Sequence, residues 1–198
     1  QIDSCNELAN VSIVGEGGDY VIKENMICAD KGATLVWVPQ GIDKNVIIPS
    51  GVTKIGARVF EKFAITSVVI PEWVEQIESN AFYSCSQLTS LTFAGDENSP
   101  KLSIDSYAFF SCTALKELVL APNVQSIGAH AFANTTRLTK VTVKSIGAQA
   151  EGEIAPALAF ADYAFADNRD AVGNYAFYVT DLFIGKDVPT FSIASVFG

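Results

Sequence analysis

One histidine, one methionine and four cysteines in 198 residues leave few groups from which catalytic or metal chemistry could be assembled. A histidine-dependent nucleophile would have to be built on His130, and nothing else in the chain supports a Ser-His or Cys-His pair. Cys5, Cys28, Cys85 and Cys112 are too few for a disulfide scaffold of this length, and none stands in the C-x-x-C spacing of a zinc knuckle. Charge is sparse as well: 18% of residues are charged against 49% hydrophobic. The net charge of −9 and a pI near 4.5 would repel a phosphate backbone, and the 13 Lys and Arg form no basic stripe, which argues against nucleic acid as a partner. Long apolar runs are missing too. Val68-Val69-Ile70 stops at Pro71, far too short to cross a bilayer, so the mean hydropathy of +0.27 reflects apolar core and no transmembrane segment. No charged stretch followed by an apolar one opens the chain, so an export signal is lacking or has been removed.

What is present is repetition. "IESNAFYSCSQLTSLTF" from Ile77, "IDSYAFFSCTALKELVL" from Ile104 and "IGAHAFANTTRLTKVTV" from Ile127 align without strain, and "IGARVFEKFAITSVVI" from Ile55 is a copy one residue shorter. The leading Ile recurs at 55, 77, 104 and 127, in steps of 22, 27 and 23. Phe60, Phe82, Phe109 and Phe132 keep the same steps. Three further columns follow: Ile65, Leu88, Leu115, Leu138; then Val68, Leu91, Leu118, Val141; then Ile70, Phe93, Leu120, Val143. The polar insertion "AGDENSPKL" after Phe93 explains the long step.

The closing L-x-x-L-x-L alternates apolar and polar residues, as a short strand with one buried face requires. The preceding I-x-x-x-A-F places Ile and Phe on one side of a helical turn or a tight irregular loop. Neither half hides its apolar face alone, and stacked neighbours complete a continuous core. The expected fold class is an α/β repeat, a leucine-rich-repeat solenoid with a short-stranded parallel sheet on one face and turns or short helices on the other.

The segments "IGARVF", "IESNAFYSCSQL", "SIDSYAFFSCTAL" and "SIGAHAF" resemble the BspA-like leucine-rich repeat family of bacterial and protozoan surface proteins. The family unit reads approximately I-x-x-I-G-x-x-A-F-x-x-C-x-x-L-x-x-L-x-I-P, and Pro71 and Pro122 fall where its closing proline belongs. The resemblance implies a secreted or surface-attached protein whose array contacts a protein partner, a host or extracellular-matrix component among them, with no enzymatic activity and no cofactor. Two rival readings are a glycan-binding module, which needs an exposed aromatic platform beside carboxylates, and a structural spacer for another domain.

Upstream, residues 20–49 read as two strands around Ala29-Asp30-Lys31-Gly32 and a third ending at Pro49, a β-hairpin resembling the segment that covers the open end of the core in this family. Residues 1–50 are the expected N-terminal β cap and 51–198 the array, regular over 51–143 and irregular over 144–171. "VGNYAF" from Val172 matches "IGAHAF" and opens the last repeat at 172–198, yet "FADYAF" from Phe160 matches the same motif. Residues 144–171 therefore hold either a long insertion or a degenerate repeat.

His130 shares its column with Arg58, Asn80, Tyr107 and Tyr175, and so reads as a solvent-facing position. Cys85 and Cys112 share a column with Phe63 and Thr135 and read as buried thiols acting as small hydrophobes, with a disulfide allowed by proximity but not implied. Cys28 belongs to the core by the same logic. Asp96, Glu97, Asp162, Asp167 and Asp170 form no calcium-loop pattern, so no metal site is expected.

Two rows of outward strand residues make up the candidate binding face. One is Ser67, Ser90, Glu117, Lys140 and Asp181, and the other Val69, Thr92, Val119, Thr142 and Phe183. Trp73, Tyr83, Phe110 and Tyr178 on the turn side offer a competing surface, read first as a cover for the turn layer.

Overall fold

The computed structural model describes residues 12, 18–144, 159–161, 163–165 and 181–184. It opens with three short strands, β1 (Val21–Lys23), β2 (Met26–Ala29) and β3 (Thr34–Trp37), in an antiparallel meander. Glu24 and Asn25 turn the first corner at φ 49° and 64°, the two left-handed residues that a type I′ turn requires. A short 3-10 segment, Asp30–Gly32, turns the second.

From β3 onward every pairing is parallel. The strands are β4 (Asn45–Ile47), β5 (Lys54–Ile55), β6 (Ser67–Ile70), β7 (Gln76–Ile77), β8 (Ser90–Phe93), β9 (Leu102–Ile104), β10 (Glu117–Leu120), β11 (Val124–Ile127), β12 (Lys140–Val143), β13 (Ala159–Phe160) and β14 (Asp181–Ile184). Each unit thus contributes two strands. The ones ending in the leading Ile extend the meander into an eight-stranded sheet, β1-β2-β3-β5-β7-β9-β11-β13. The L-x-L strands stack on the other side as β4-β6-β8 and β10-β12-β14, divided between the units that flank the polar insertion.

The core lies between these walls. All five apolar columns are buried in all four copies, and Phe60, Phe82, Phe109 and Phe132 are wholly so. Their rings form a continuous stack with Phe165, at centroid spacings of 4.8, 4.9, 5.1 and 5.3 Å and interplanar angles of 4–9°. One step of the solenoid sets that spacing. Backbone bonds tie the turns in the same direction: the N–H groups of Phe60, Phe82, Phe109 and Phe132 donate to the carbonyls of Ala81, Ala108, Ala131 and Ala164 in the following unit.

The α/β label does not describe what joins the walls. Among the described residues there is no α-helix, and the architecture is a parallel β-solenoid with a layer of turns. Backbone conformation gives the reason. Arg58, Asn80, Tyr107, His130 and Tyr163 all sit at φ of 57–61°, and Lys62, Ser84, Ser111 and Asn134, four residues further on, at 56–62°. Two left-handed residues so close together stop a right-handed helix from propagating.

The irregular tail also acquires a register. Phe160 pairs with Ile127 and Phe165 stacks on Phe132, so "FADYAF" follows the unit that begins at Ile127. Tyr163 therefore stands in the column of His130. Tyr175, assigned to that column from sequence, lies outside the described residues, as do Tyr178, Cys5, Asp162, Asp167 and Asp170.

Candidate binding face

The L-x-L strands alternate buried and solvent-facing side chains, as their two-residue period demands. Register then fixes which outward residues are neighbours. Ser67 lies beside Ser90, Val69 beside Thr92, Glu117 beside Lys140 and Val119 beside Thr142. The backbone of β14 brings Asp181 level with Lys140 and Phe183 level with Thr142. β4 extends both rows by a member absent from the sequence-based set, placing Asn45 beside Ser67 and Ile47 beside Val69. A signal for it existed: Ile48-Pro49 repeats the Ile70-Pro71 ending of β6.

One row is polar and internally linked. Ser67 Oγ donates to Asn45 Oδ1 at 2.7 Å, and Lys140 Nζ lies 3.3 Å from Glu117 Oε2. Exposed as it is, that ion pair contributes about 0–1 kcal/mol to the fold. The other row is β-branched and open to solvent, with Ile47 70%, Val69 47% and Val119 38% exposed. The exposed aliphatic side chains of this row are thus flanked by hydroxyls, amides and one ion pair.

The turn layer presents aromatics differently. Tyr83 is half-buried and stacks on buried Phe110 at 5.1 Å, covering the turns. Tyr107, His130 and Tyr163 form a second stack at the surface, at 5.0 and 5.6 Å and within 18° of parallel. In that stack the His130 ring has a tyrosine ring against each of its faces. Partial burial holds His130 below the ordinary imidazole value. A polar groove of about 540 Å³ lies on the eight-stranded sheet; within it Gln76 Nε2 donates to Asp105 Oδ2 at 3.1 Å, and Lys54 on its lining is 3.7 Å from Glu78.

Cys28, Cys85 and Cys112 are free and buried. Cys85 Sγ–H donates to Phe60 O at 3.0 Å and Cys112 Sγ–H to Phe82 O at 3.4 Å, so the column links adjacent units. Burial pushes the Cys85 thiol up to about 12 against a smaller opposing effect of the Phe63 backbone, and pushes Cys112 well above its ordinary value. These thiols should ignore an aromatic disulfide reagent in the native chain at pH 8 and react once denaturant unfolds it. The folded state holds them protonated, so their contribution to stability is complete below about pH 9 and lost as pH rises toward 12. The urea midpoint should therefore fall from pH 8 to pH 10.5, and fall less in a Cys85→Ala, Cys112→Ala chain. Among the described residues no group of three His, Cys, Asp or Glu is placed to hold a metal ion.

Stacked units with parallel strands on two walls, joined by a layer of turns, define a leucine-rich-repeat solenoid. More narrowly, the chain belongs to the BspA type leucine rich repeat region family, whose model matches six copies over residues 43–152. Members of that family are typically non-enzymatic binding modules. A leucine-rich repeat protein from Bacteroides capillosus, known as a crystal structure, is 26% identical, with 65% of this chain and 100% of that one covered and a TM-score of 0.56. The pneumococcal vaccine antigen PcpA superposes with a TM-score of 0.57 at 16% identity, over 89% of this chain and 38% of that one, a likeness of fold alone. A leucine rich cell surface protein from Faecalibacterium prausnitzii is 21% identical over 85% of this chain and 62% of that one, and its TM-score of 0.41 is too low to carry an argument. No curated protein matches the chain significantly. No helix of the described residues is long and apolar enough to cross a membrane.

Proposed function

We propose that the chain is a protein-binding module of a secreted or cell-surface bacterial protein, that it adheres to a host or matrix component, and that the outward strand rows make the contact. The observation that carries this reading is the β-branched row Ile47, Val69, Thr92, Val119 and Thr142, exposed except for half-buried Thr142, beside a polar one. In it Ile47 and Val69 lie side by side and Val119 stands further along, three stiff apolar side chains open to solvent. Residues 1–50 act as the N-terminal cap in this reading and 51–198 as the array, with β4 joining the two. Lys23 supports the cap, its Nζ donating to Gly32 O at 2.9 Å and Ser50 O at 2.8 Å and so tying the meander to the first unit.

The test is capture of host extracellular-matrix proteins by the immobilised chain, repeated with Glu117→Lys combined with Lys140→Glu. The exchange keeps net charge and the internal ion pair, so Tm should hold while the charge pattern offered to a partner reverses. Capture should weaken about tenfold. Undiminished capture contradicts the proposed face.

A further inference from the structure

Among the described residues the outward rows end at β4. β4 is the outermost strand of its sheet, and no described strand pairs with its far edge. A strand edge with free N–H and C=O groups is a template for another strand. Ile47, at the end of β4, is the most exposed large apolar residue described, at 70%.

A pocket of about 300 Å³ adjoins this edge. Met26, Pro39 and Ile42 give it apolar lining, and Glu24 and Asp43 line it with carboxylates. Both acidic residues are exposed, and neither has an ion-pair or hydrogen-bond partner among the described residues. No Lys or Arg lines the pocket, and the nearby Lys23 ammonium is spent on the carbonyls of Gly32 and Ser50. Glu24 holds its place at φ 49°, in a turn position that ordinarily goes to Asn, Asp or Gly. Apolar walls with unpaired carboxylates match a side chain that has an aliphatic stem and a cationic head.

We propose that this end of the face receives an extended segment of a partner polypeptide, which adds as a strand to the free edge of β4 and sets a lysine or arginine into the pocket between Glu24 and Asp43. The inference rests on the reading of the strand rows as a protein-binding surface, and it names the chemistry of the partner. Main-chain pairing supplies register and part of the affinity, while the pocket selects a basic residue. The chain's net charge of −9 draws a basic segment toward it at low ionic strength.

Selection of random heptapeptides displayed on phage, against the whole immobilised chain at low salt, tests this. Enriched peptides should carry Lys or Arg among β-branched neighbours. As free peptides they should bind about tenfold more weakly to a Glu24→Gln, Asp43→Asn chain of unchanged Tm. Replacing the arginine by citrulline, or N-methylating the neighbouring backbone amide, should cost a similar factor. Enriched peptides without a basic residue, or equal binding to the altered chain, overturn the proposal. An edge already filled by a second copy would show as concentration-dependent dimer in sedimentation with no enrichment, and would overturn it too. The Glu117 and Lys140 exchange reads out the face separately, since neither residue lines the pocket.

Discussion

Phe109→Ala should cost about 3–5 kcal/mol, the usual range for deleting a buried phenylalanine, and lower Tm by roughly 6–20 °C in a chain of this size. Phe109 is fully buried, stacks on Phe82 and Phe132 at 4.9 and 5.1 Å, and meets Phe93 edge-on at 6.4 Å. Its loss would open a cavity at the centre of the array, where backbone ladders hold the neighbouring turns one step apart and keep them from closing over the gap. Differential scanning calorimetry checks the size of the effect. A double-mutant cycle with Phe82→Ala should add a coupling of about 0.5–1.5 kcal/mol for the lost ring pair. Tyr83→Ala, which removes a half-buried ring from the turn cover, should cost much less.

Gly128→Ala and Gly41→Ala should move stability in opposite directions. A Cβ on Gly128 would lie 2.5 Å from the backbone nitrogen of Ser106 and 2.7 Å from the carbonyl carbon of Asp105, while the Gly128 N–H is bonded to Ile104 O at 2.7 Å. Backbone of the preceding unit would have to move, and forcing a methyl into so tight a contact costs about 1–3 kcal/mol. Gly41 has nothing within 4 Å of the same added atom and does not require a positive φ. Alanine there narrows the unfolded ensemble without a clash, so it should be neutral or add up to about 1 kcal/mol. Chemical denaturation of the two variants measures the difference directly. Equal effects would mean that units 104 and 127 are not pressed together by close backbone approach.

The solenoid was legible because repetition multiplies weak signals. No single Ile or Phe identifies a fold, but Ile55, Ile77, Ile104 and Ile127, each five residues before a Phe, fix a common environment. The second wall was not legible. β5 and β7 are two residues long, too short for a two-residue period to show, and each begins with a polar residue. The turn layer misled for a different reason. Ile and Ala in I-x-x-x-A-F stand four residues apart, a spacing that fits a helix face as well as a turn, and the left-handed backbone at Arg58 and Tyr107 rests on residues without a marked preference for it.

The candidate face divides in the same way. Alternation within a strand marks outward residues, so Val69, Glu117 and Val119 were visible, but the depth of the array was not. β4 lacks the I-x-x-x-A-F segment that announces the other units, which hid Asn45 and Ile47. The stack of Tyr107, His130 and Tyr163 depended on a register that only the pairing of Ile127 with Phe160 supplies. Insertions separate sequence spacing from spatial spacing, and local pattern alone does not restore it.

The face itself is tested most directly by hydroxyl-radical footprinting of the chain alone and bound to a captured matrix protein. Exposed Ile47, Val69 and Val119 should lose reactivity in the complex while exposed Tyr107 and Tyr163 keep theirs. Protection of the two tyrosines with the three aliphatic residues unchanged would contradict the account and place the contact on the turns.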